Sequence, residues 1–380
     1  MLGIDIGSAA VKLLELGPAA AKRARKGRQP LRVEALALEP LPPNAVVEKK
    51  IADVAQVGQA IARALRRSGS RTRRAAVAVA GSAVMTRILS LSADLSEAEM
   101  EAQIQLESDQ YVPYPLDEVN LDFDVIGPTP GAHDRVDVLL AASRREHVDA
   151  CVAALAQAGL SAAIVDIESN AVETACGALR ARLEPGTSRL TAVADIGATT
   201  TTLHVLRAGQ SIYTREQSLG GQQLIAEARR REDLTGDPLG DPLGDPLGDQ
   251  AGDSWRERMG ERMAEQAEDR ALARLAAAPA ERQREVLAPF QDRLARQLAR
   301  ALQFFYSSTA FDRVDEVLLA GTVTQVPTLA QPLAERLALP VRMLDPLAGI
   351  ALSADLDPHL VRDHRGAMLI ALGLALRRFG

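Results

Sequence analysis

One phrase occurs twice in this chain, and it restricts the fold more than any other feature. Residues 1–16 read MLGIDIGSAAVKLLEL, and residues 189–206 read RLTAVADIGATTTTLHVL. Each copy is an apolar run ending in a carboxylate, Leu2 to Asp5 and Leu190 to Asp195, then glycine, small or hydroxylated residues and a second apolar run. That order predicts a hairpin with a tight polar tip. Glycine directly after a strand lets backbone approach a bulky ligand, and successive N–H groups beside hydroxyls form a concavity suited to phosphate oxygens. A carboxylate at the strand end does not itself attract phosphate. It fits if a divalent cation lies between, because Mg2+ is held through one or two carboxylates, its own waters and phosphates. Two facing hairpins would then grip a polyphosphate from both sides, with Asp5 and Asp195 flanking one metal. A single Asp-Ile-Gly is ordinarily just a turn; the pairing carries the reading.

Lys12 lies five positions past Gly7 on the outgoing run. The chain has 44 Lys plus Arg but only five lysines, none after Lys50. In so arginine-biased a sequence, a lysine there is consistent with a need for a compact ammonium, although the other four also fall in the first 50 residues. A third stretch, DEVLLAGTVTQVPTLAQPLAERL (315–337), has a strand over Val317 to Leu319 running into Ala320-Gly321-Thr322, with a helix expected after Pro327. A glycine turn between strand and helix is a place where a nucleoside approaches backbone closely.

In this order and spacing the three stretches resemble the phosphate-1, phosphate-2 and adenosine motifs of the superfamily of actin, the heat-shock chaperones and the sugar kinases. Within it, DIGSAAVKLLEL, ESDQYVPYPLDEVNLDFDVIG, VADIGATTTTLHVL, IYTREQSLGGQQL, ARALQFFYSS and VDEVLLAG resemble the PilM family of type IV pilus assembly proteins, relatives of the division protein FtsA. The likeness covers nearly the whole chain. It implies an α/β, actin-like ATPase fold: two related half-domains around a nucleotide cleft, with an FtsA-like inserted subdomain. The implied division is 1–75, 166–189 and 350–380 for the first half; 76–165 for the insertion; 190–230 and 300–349 for the second half; and 231–299 for an outer subdomain.

The implied cofactors are ATP and Mg2+. Gly7, Ser8 and Lys12 would hold phosphate from the first hairpin, and Gly197, Ala198, Thr199 and Thr200 from the second. Gly220, Gly221 and Gln222 would open a helix toward the nucleotide, with Gln222 or Glu227 reaching a ribose, although a glycine pair that starts a helix is also common without a ligand; Gly321 and Thr322 would line the base. Asp5 and Asp195 are the metal candidates. The sequence departs from the superfamily at Thr322, where a second glycine is usual. The residue that positions attacking water in the ATPases falls in VDIESNAVETA, which points to Glu168 with Asp166 beside it. Glu168 reads equally well as a helix N-terminal acid favoured by the dipole. Phosphoryl transfer rests on positioning and charge neutralisation, so such a site can bind nucleotide and turn it over slowly.

Partners implied by the resemblance are the cytoplasmic N-terminal peptide of PilN, other pilus platform proteins and the motor ATPases. The implied place is cytoplasmic and peripheral on the inner membrane. QYVPYP (110–115) offers Tyr111 and Tyr114 between rigid prolines for peptide capture, or an ordinary loop plug. The net charge of −6 gives no sign of a nucleic-acid binder. Cys151 and Cys176 are too isolated for a disulfide framework or metal cluster, and the five histidines are scattered. Asp5 interrupts any signal-peptide core, and nothing approaches the roughly 18–20 apolar residues that span a bilayer. GAMLIALGLALRRFG near the C-terminus is apolar nearly all round, which favours a buried helix over an interfacial one.

Between the motifs, the sequence predicts a basic loop over AKRARKGRQP, a strand from Leu31 to Leu38 and a helix over 51–67. RRSGSRTRR then reads as a solvated loop or a lipid-headgroup contact. Strands follow in AAVAVAG and VMTRILSL, a helix capped by Ser96 and Glu99, paired strands in VNLDFDVIG and RVDVLLAAS, a helix over 146–158 and a buried strand in SAAIVDIE. In the second half, three Asp-Pro-Leu-Gly repeats within 236–249 predict a flexible surface loop, and helices are expected from Trp255 to about Ser307. Three function classes fit: a nucleotide-binding pilus scaffold, a metabolic kinase of the same superfamily, and a filament-forming protein.

Overall fold

The computed structural model describes residues 1–19, 30–107, 112–183, 189–227, 275, 278 and 280–378. The basic loop, Tyr111, the Asp-Pro-Leu-Gly repeats and the stretch from Trp255 to 274 lie outside the described residues.

Two sheets carry the structure, and they share one plan. In the first, β1 (Leu2–Ile6), β2 (Ala10–Pro18) and β3 (Leu31–Pro40) run as an antiparallel meander. The minimal pair β4 (Val46–Val47) and β5 (Lys50–Ile51) follows as a separate ribbon. β6 (Arg74–Val79) adds parallel to β1 on its other side. The inserted strands β7 (Val84–Ser92), β8 (Val119–Pro128) and β9 (Arg135–Arg144) form their own sheet in the order β7-β9-β8. β10 (Ser161–Ile167) returns to pair parallel with β6. The second sheet repeats the plan: β11 (Leu190–Ile196), β12 (Thr201–Arg207) and β13 (Gln210–Gln217) form the meander. β14 (Glu316–Gly321) and then β15 (Val341–Met343) add in parallel. The orders β3-β2-β1-β6-β10 and β13-β12-β11-β14-β15 therefore match, and β16 (Ala351–Leu352) extends the first sheet beyond β3.

This topology narrows the insertion. Most of β6 and of β10 falls inside the block 76–165, yet both strands belong to the sheet of β1, so the separate sheet spans only Val84 to Arg144. Helix α1 (Val54–Ser68) begins three residues later than the pattern suggests, because β5 occupies Lys50–Ile51 and Asp53 caps the helix by accepting from the Gln56 N–H at 2.9 Å. Gly69 ends it in the left-handed region, at φ +67°. Arg63 and Arg67 both pair with the nearly buried Glu39, which fixes part of the basic surface. Helix α2 (Glu97–Glu107) carries the expected capping box: the Ser96 N–H donates to Glu99 Oε2 at 2.8 Å and the Glu99 N–H to Ser96 Oγ at 3.4 Å. Its Met100 and Ile104 pack on Leu89, Leu91, Val138 and Leu140 of the inserted sheet. β10 is an edge strand and mostly half-buried, unlike the fully buried strand expected of SAAIVDIE.

Helix α3 (Arg145–Gln157) packs against α1, and α4 (Glu168–Leu183) runs under both sheets. The C-terminal helix Leu369–Leu376 is buried at every position. It wedges between β1 and α4 so tightly that a Cβ on Gly3 would collide with the Ala371 carbonyl, and one on Gly373 with that of Ala171. Its cluster takes in Leu14 and Leu16 from the first sheet and Val193, Leu206 and Ala320 from the second. Burying each leucine contributes about 1.5–3 kcal/mol, so this helix does much to hold the halves together. Among the described residues, no helix is long and apolar enough to cross a membrane.

Candidate functional site

The two hairpins end side by side. In the first, Asp5 lies opposite Lys12 and Ile6 opposite Val11, and the Gly7 N–H closes the turn onto the Ala10 carbonyl at 3.0 Å. In the second, Asp195 lies opposite Thr202 and Ile196 opposite Thr201, and the Gly197 N–H closes onto the Thr200 carbonyl at 2.9 Å. Every one of these positions repeats at an offset of 190 residues. The tips touch, with Thr199 Oγ1 donating to Ser8 Oγ at 3.0 Å across the gap between the halves. Asp5, Gly7, Ser8, Lys12, Asp195, Gly197, Ala198 and Thr200 line the cleft between the tips, as do Glu168, Gly321 and Thr322.

The helical stretch over 221–227 supports the second tip from behind. The Gly221 N–H donates to the Gly197 carbonyl at 2.8 Å and the Gln222 N–H to the Ala198 carbonyl at 2.9 Å. A side chain on Gly220 would collide with the Ala198 backbone, so Gly220 is required for this approach, whereas a Cβ on Gly221 would meet only ordinary contacts. Those first helical N–H groups therefore hold the tip. Glu227 pairs with Arg293 of the long helix Ala280–Ser308 at 3.4 Å. Gly321 is the other close approach: it pairs with Ile196 at φ +97° and ψ −175°, and any Cβ would strike the Ile196 carbonyl. After it the chain enters short 3-10 turns, Thr322–Gln325 and Pro327–Leu329, before the helix Ala330–Leu337. The helix expected after Pro327 thus starts one turn later.

Charge in the cleft is organised around two lysines. Lys12 Nζ lies 2.7 Å from Asp5 Oδ2, with Asp5 only 4% exposed. Burial opposes the charge on Lys12, but Asp5 together with Asp195 and Glu168 raises the lysine pKa. The second lysine, Lys49, is not marked by any sequence motif. Its ammonium lies 2.8 Å from Glu168 Oε2, 3.2 Å from Glu216 Oε2 and 3.2 Å from Thr202 Oγ1. It therefore touches both halves, and although burial opposes its charge, Glu168 and then Glu216 raise its pKa. Glu168 is the first residue of α4, and burial lifts its pKa while Lys49 partly restores the charged form. Asp166 is committed elsewhere, 2.8 Å from Arg377 and accepting from the Ile167 N–H and Asn170. Lys49 and Glu168 also wall a second cavity, of about 280 Å³, that reaches Ala80, Ala83, Glu146 and His147 where the inserted sheet joins the first half.

Asp195 differs from all of these acids. Its side chain makes no hydrogen bond or ion pair among the described residues, and burial, with Asp5 nearby, raises its pKa against the pull of Lys12. A half-buried, unpartnered carboxylate beside the buried Asp5 is a donor set that suits a hard cation. Among the described residues no group of three or more acids, histidines or cysteines could hold a metal alone. Asp5 and Asp195 would suit Mg2+ if water and phosphate supplied its remaining ligands.

The chain matches the type IV pilus assembly protein PilM family over residues 3–239 and 248–379. It belongs to that family. Among solved structures it is similar, at 26% identity and a TM-score of 0.72, to a chain of a PilM–PilN type IV pilus biogenesis complex, covering 99% of this chain and 97% of that one. The ethanolamine utilization protein EutJ from Carboxydothermus hydrogenoformans is more distant: 15% identity, TM-score 0.49, 99% of this chain and 88% of that one. So is component A of the Acidaminococcus fermentans (R)-2-hydroxyglutaryl-CoA dehydratase: 11% identity, TM-score 0.41, 100% and 99%. The duplicated sheet order and the PilM likeness identify the fold as actin-like, α/β, with two related halves around a cleft.

Of the partner candidates, Tyr111 lies outside the described residues. Tyr114 is 46% exposed on the inserted subdomain, with the Arg144 guanidinium 5.5 Å from its ring centre. Lys49 escaped the sequence reading because its turn is Glu-Lys, not Asn-Gly or Asp-Gly, and its partners lie 119 and 153 residues away.

Proposed function

We propose that the chain is a nucleotide-binding scaffold of a type IV pilus assembly platform, which binds ATP with Mg2+ in the cleft and the cytoplasmic tail of PilN beside the inserted subdomain. The observation that carries this is the likeness, over nearly the full length of both chains, to a PilM–PilN complex component. The cleft supports the nucleotide half: two glycine turns meet at 3.0 Å through hydroxyls, with an acid at the foot of each. Asp195, with Asp5 released from Lys12, would hold the metal, which neutralises phosphate charge. Lys12 and the hydroxyls of Ser8, Thr199 and Thr200 would hold the phosphates, and Gly321 and Thr322 would sit against the nucleoside. Glu168 is the acid placed to orient water, though its pairing with Lys49 favours slow turnover or none. The shared wall of Lys49 and Glu168 gives nucleotide state a short route to the base of the insertion, and so to Tyr114 and the partner groove. As part of such a platform, with motor ATPases among its neighbours, the chain would sit in the cytoplasm against the inner membrane.

The test is binding of fluorescent ATP with Mg2+, with and without a peptide copied from the PilN tail, alongside phosphate release. Tight binding, slow release and an affinity that shifts with peptide are expected. Rapid turnover stimulated by a small sugar, with no peptide response, would overturn the reading in favour of a kinase.

A further inference from the structure

The turn that delivers Lys49 is strained. β4 and β5 are joined by two residues only, Glu48 and Lys49, and both have positive φ, +47° and +61°. Such turns ordinarily use Asn-Gly or Asp-Gly, since side-chain-bearing residues are disfavoured in the left-handed region. Five residues other than glycine have positive φ among those described, and three of them, Asn44, Glu48 and Lys49, lie in this one loop. The loop is nevertheless held firmly. The Ala52 and Asp53 N–H groups both donate to the Ala45 carbonyl, at 2.9 and 3.1 Å, and Ala45 and Val46 are buried. Strain that persists in a well-anchored loop marks a position whose side chain is needed where the strain puts it.

That place is the cleft that Lys12 also lines, reached from a different loop and different acids. Lys12 serves Asp5 on the first hairpin, while Lys49 stands between Glu168 at the start of α4 and Thr202 and Glu216 on the second sheet. We propose that Lys49 is the residue that recognises the terminal phosphate, so that the cleft distinguishes a nucleoside triphosphate from a diphosphate. This rests on the nucleotide-binding reading above. Lys12 then serves the phosphates common to both nucleotides, and Lys49 serves only the group that comes next to Glu168. A compact ammonium with three donors can leave Glu216 and Thr202 for phosphate oxygens while keeping its contact with Glu168, at little cost in geometry. Without that phosphate, Lys49 neutralises the two glutamates.

The experiment compares fluorescent ATP and ADP titrations, both with Mg2+, for the wild type, Lys49→Gly and Lys49→Arg, with thermal melting as a folding control. Lys49→Gly removes the ammonium and also relieves the backbone strain, so it is expected to fold. The wild type should prefer ATP. Lys49→Gly should lose about tenfold in ATP affinity, the order expected for one charged hydrogen bond, with ADP affinity changed less than about twofold. Lys49→Arg should keep part of the preference. Equal loss for both nucleotides, or an unchanged ATP-to-ADP ratio, would overturn the assignment while leaving the nucleotide site standing. A wild type that binds neither nucleotide would overturn the nucleotide site itself, and the Lys49 assignment with it.

Discussion

In the first hairpin Asp5 faces Lys12 across the ladder; in the second, 190 residues on, Asp195 faces Thr202. The frames are the same down to the bond that closes each turn, so the differences lie in cargo. The first half brings both cleft lysines, each paired with an acid of its own half. The second brings hydroxyls from Thr199 to Thr202 and a carboxylate with no partner. A duplicated scaffold has been divided into a side that supplies cations and a side that awaits one. The halves differ too in how far parallel pairing reaches toward the tip. Parallel pairing of β6 with β1 stops at Ile4, whereas that of β14 with β11 runs through Ile196 to the tip at Gly321.

The largest expected effect tests that last contrast. Gly321→Ala places a Cβ into the Ile196 carbonyl at a φ of +97°, and should cost about 3 kcal/mol or more in urea unfolding. Gly81, just past the end of β6 in the first half, has open space around an added Cβ, so Gly81→Ala should stay within about 0.5 kcal/mol. Equal effects would mean the two tips are supported alike.

The acids come next. Asp5→Ala strands Lys12, whose side chain is 17% exposed, and should destabilise the protein by about 2 kcal/mol. Asp195→Ala removes a half-buried charge without a partner and should leave stability unchanged or raised by about 1 kcal/mol. Both should weaken Mg-nucleotide binding. Unchanged affinity in both would remove the two-hairpin site, and equal destabilisation would erase the proposed division between them.

A smaller difference lies two residues further along each outgoing strand, where the first hairpin has Leu14 and the second His204, both buried. Burial, and secondly Lys49, pushes the His204 pKa from 6.5 to about 3. The folded state therefore resists a proton that the unfolded chain accepts below pH 6.5. Stability is full above that pH and falls with decreasing pH down to about 3, by about 2 kcal/mol at pH 5. His204→Leu copies the first hairpin and should remove this slope from denaturation curves taken between pH 7 and 5. A slope that persists would place its origin elsewhere, for instance in the acids of the cleft.

What the sequence revealed follows the range of the forces involved. Both hairpins are legible because an apolar run, an acid and a glycine act within a dozen residues, and the Ser96–Glu99 box is equally local. The C-terminal helix is legible because nothing apolar on all sides can stay in water. The limits of the insertion are not legible, because β6 and β10 pair in parallel with partners that local alternation does not name. Lys49 is hidden for a related reason: a two-residue turn becomes meaningful only once Glu168, Thr202 and Glu216 converge on its tip.

The smallest expected effect concerns a stretch that only the second half contains. The three Asp-Pro-Leu-Gly repeats span 237–248, and residues 240–247 fall outside the match to the PilM family. Each repeat meets the next at a Gly-Asp step, and removing 237–248 joins Gly236 to Asp249 through that same step. The deletion therefore changes length without introducing a new local sequence, and it touches neither hairpin. Stability should move by less than about 0.5 kcal/mol, as for substitutions away from core and caps, and Mg-ATP affinity should not change. A large loss of stability would give the repeat a structural role. A changed affinity with stability intact would mean that the second half of the cleft is tuned by a segment its counterpart lacks.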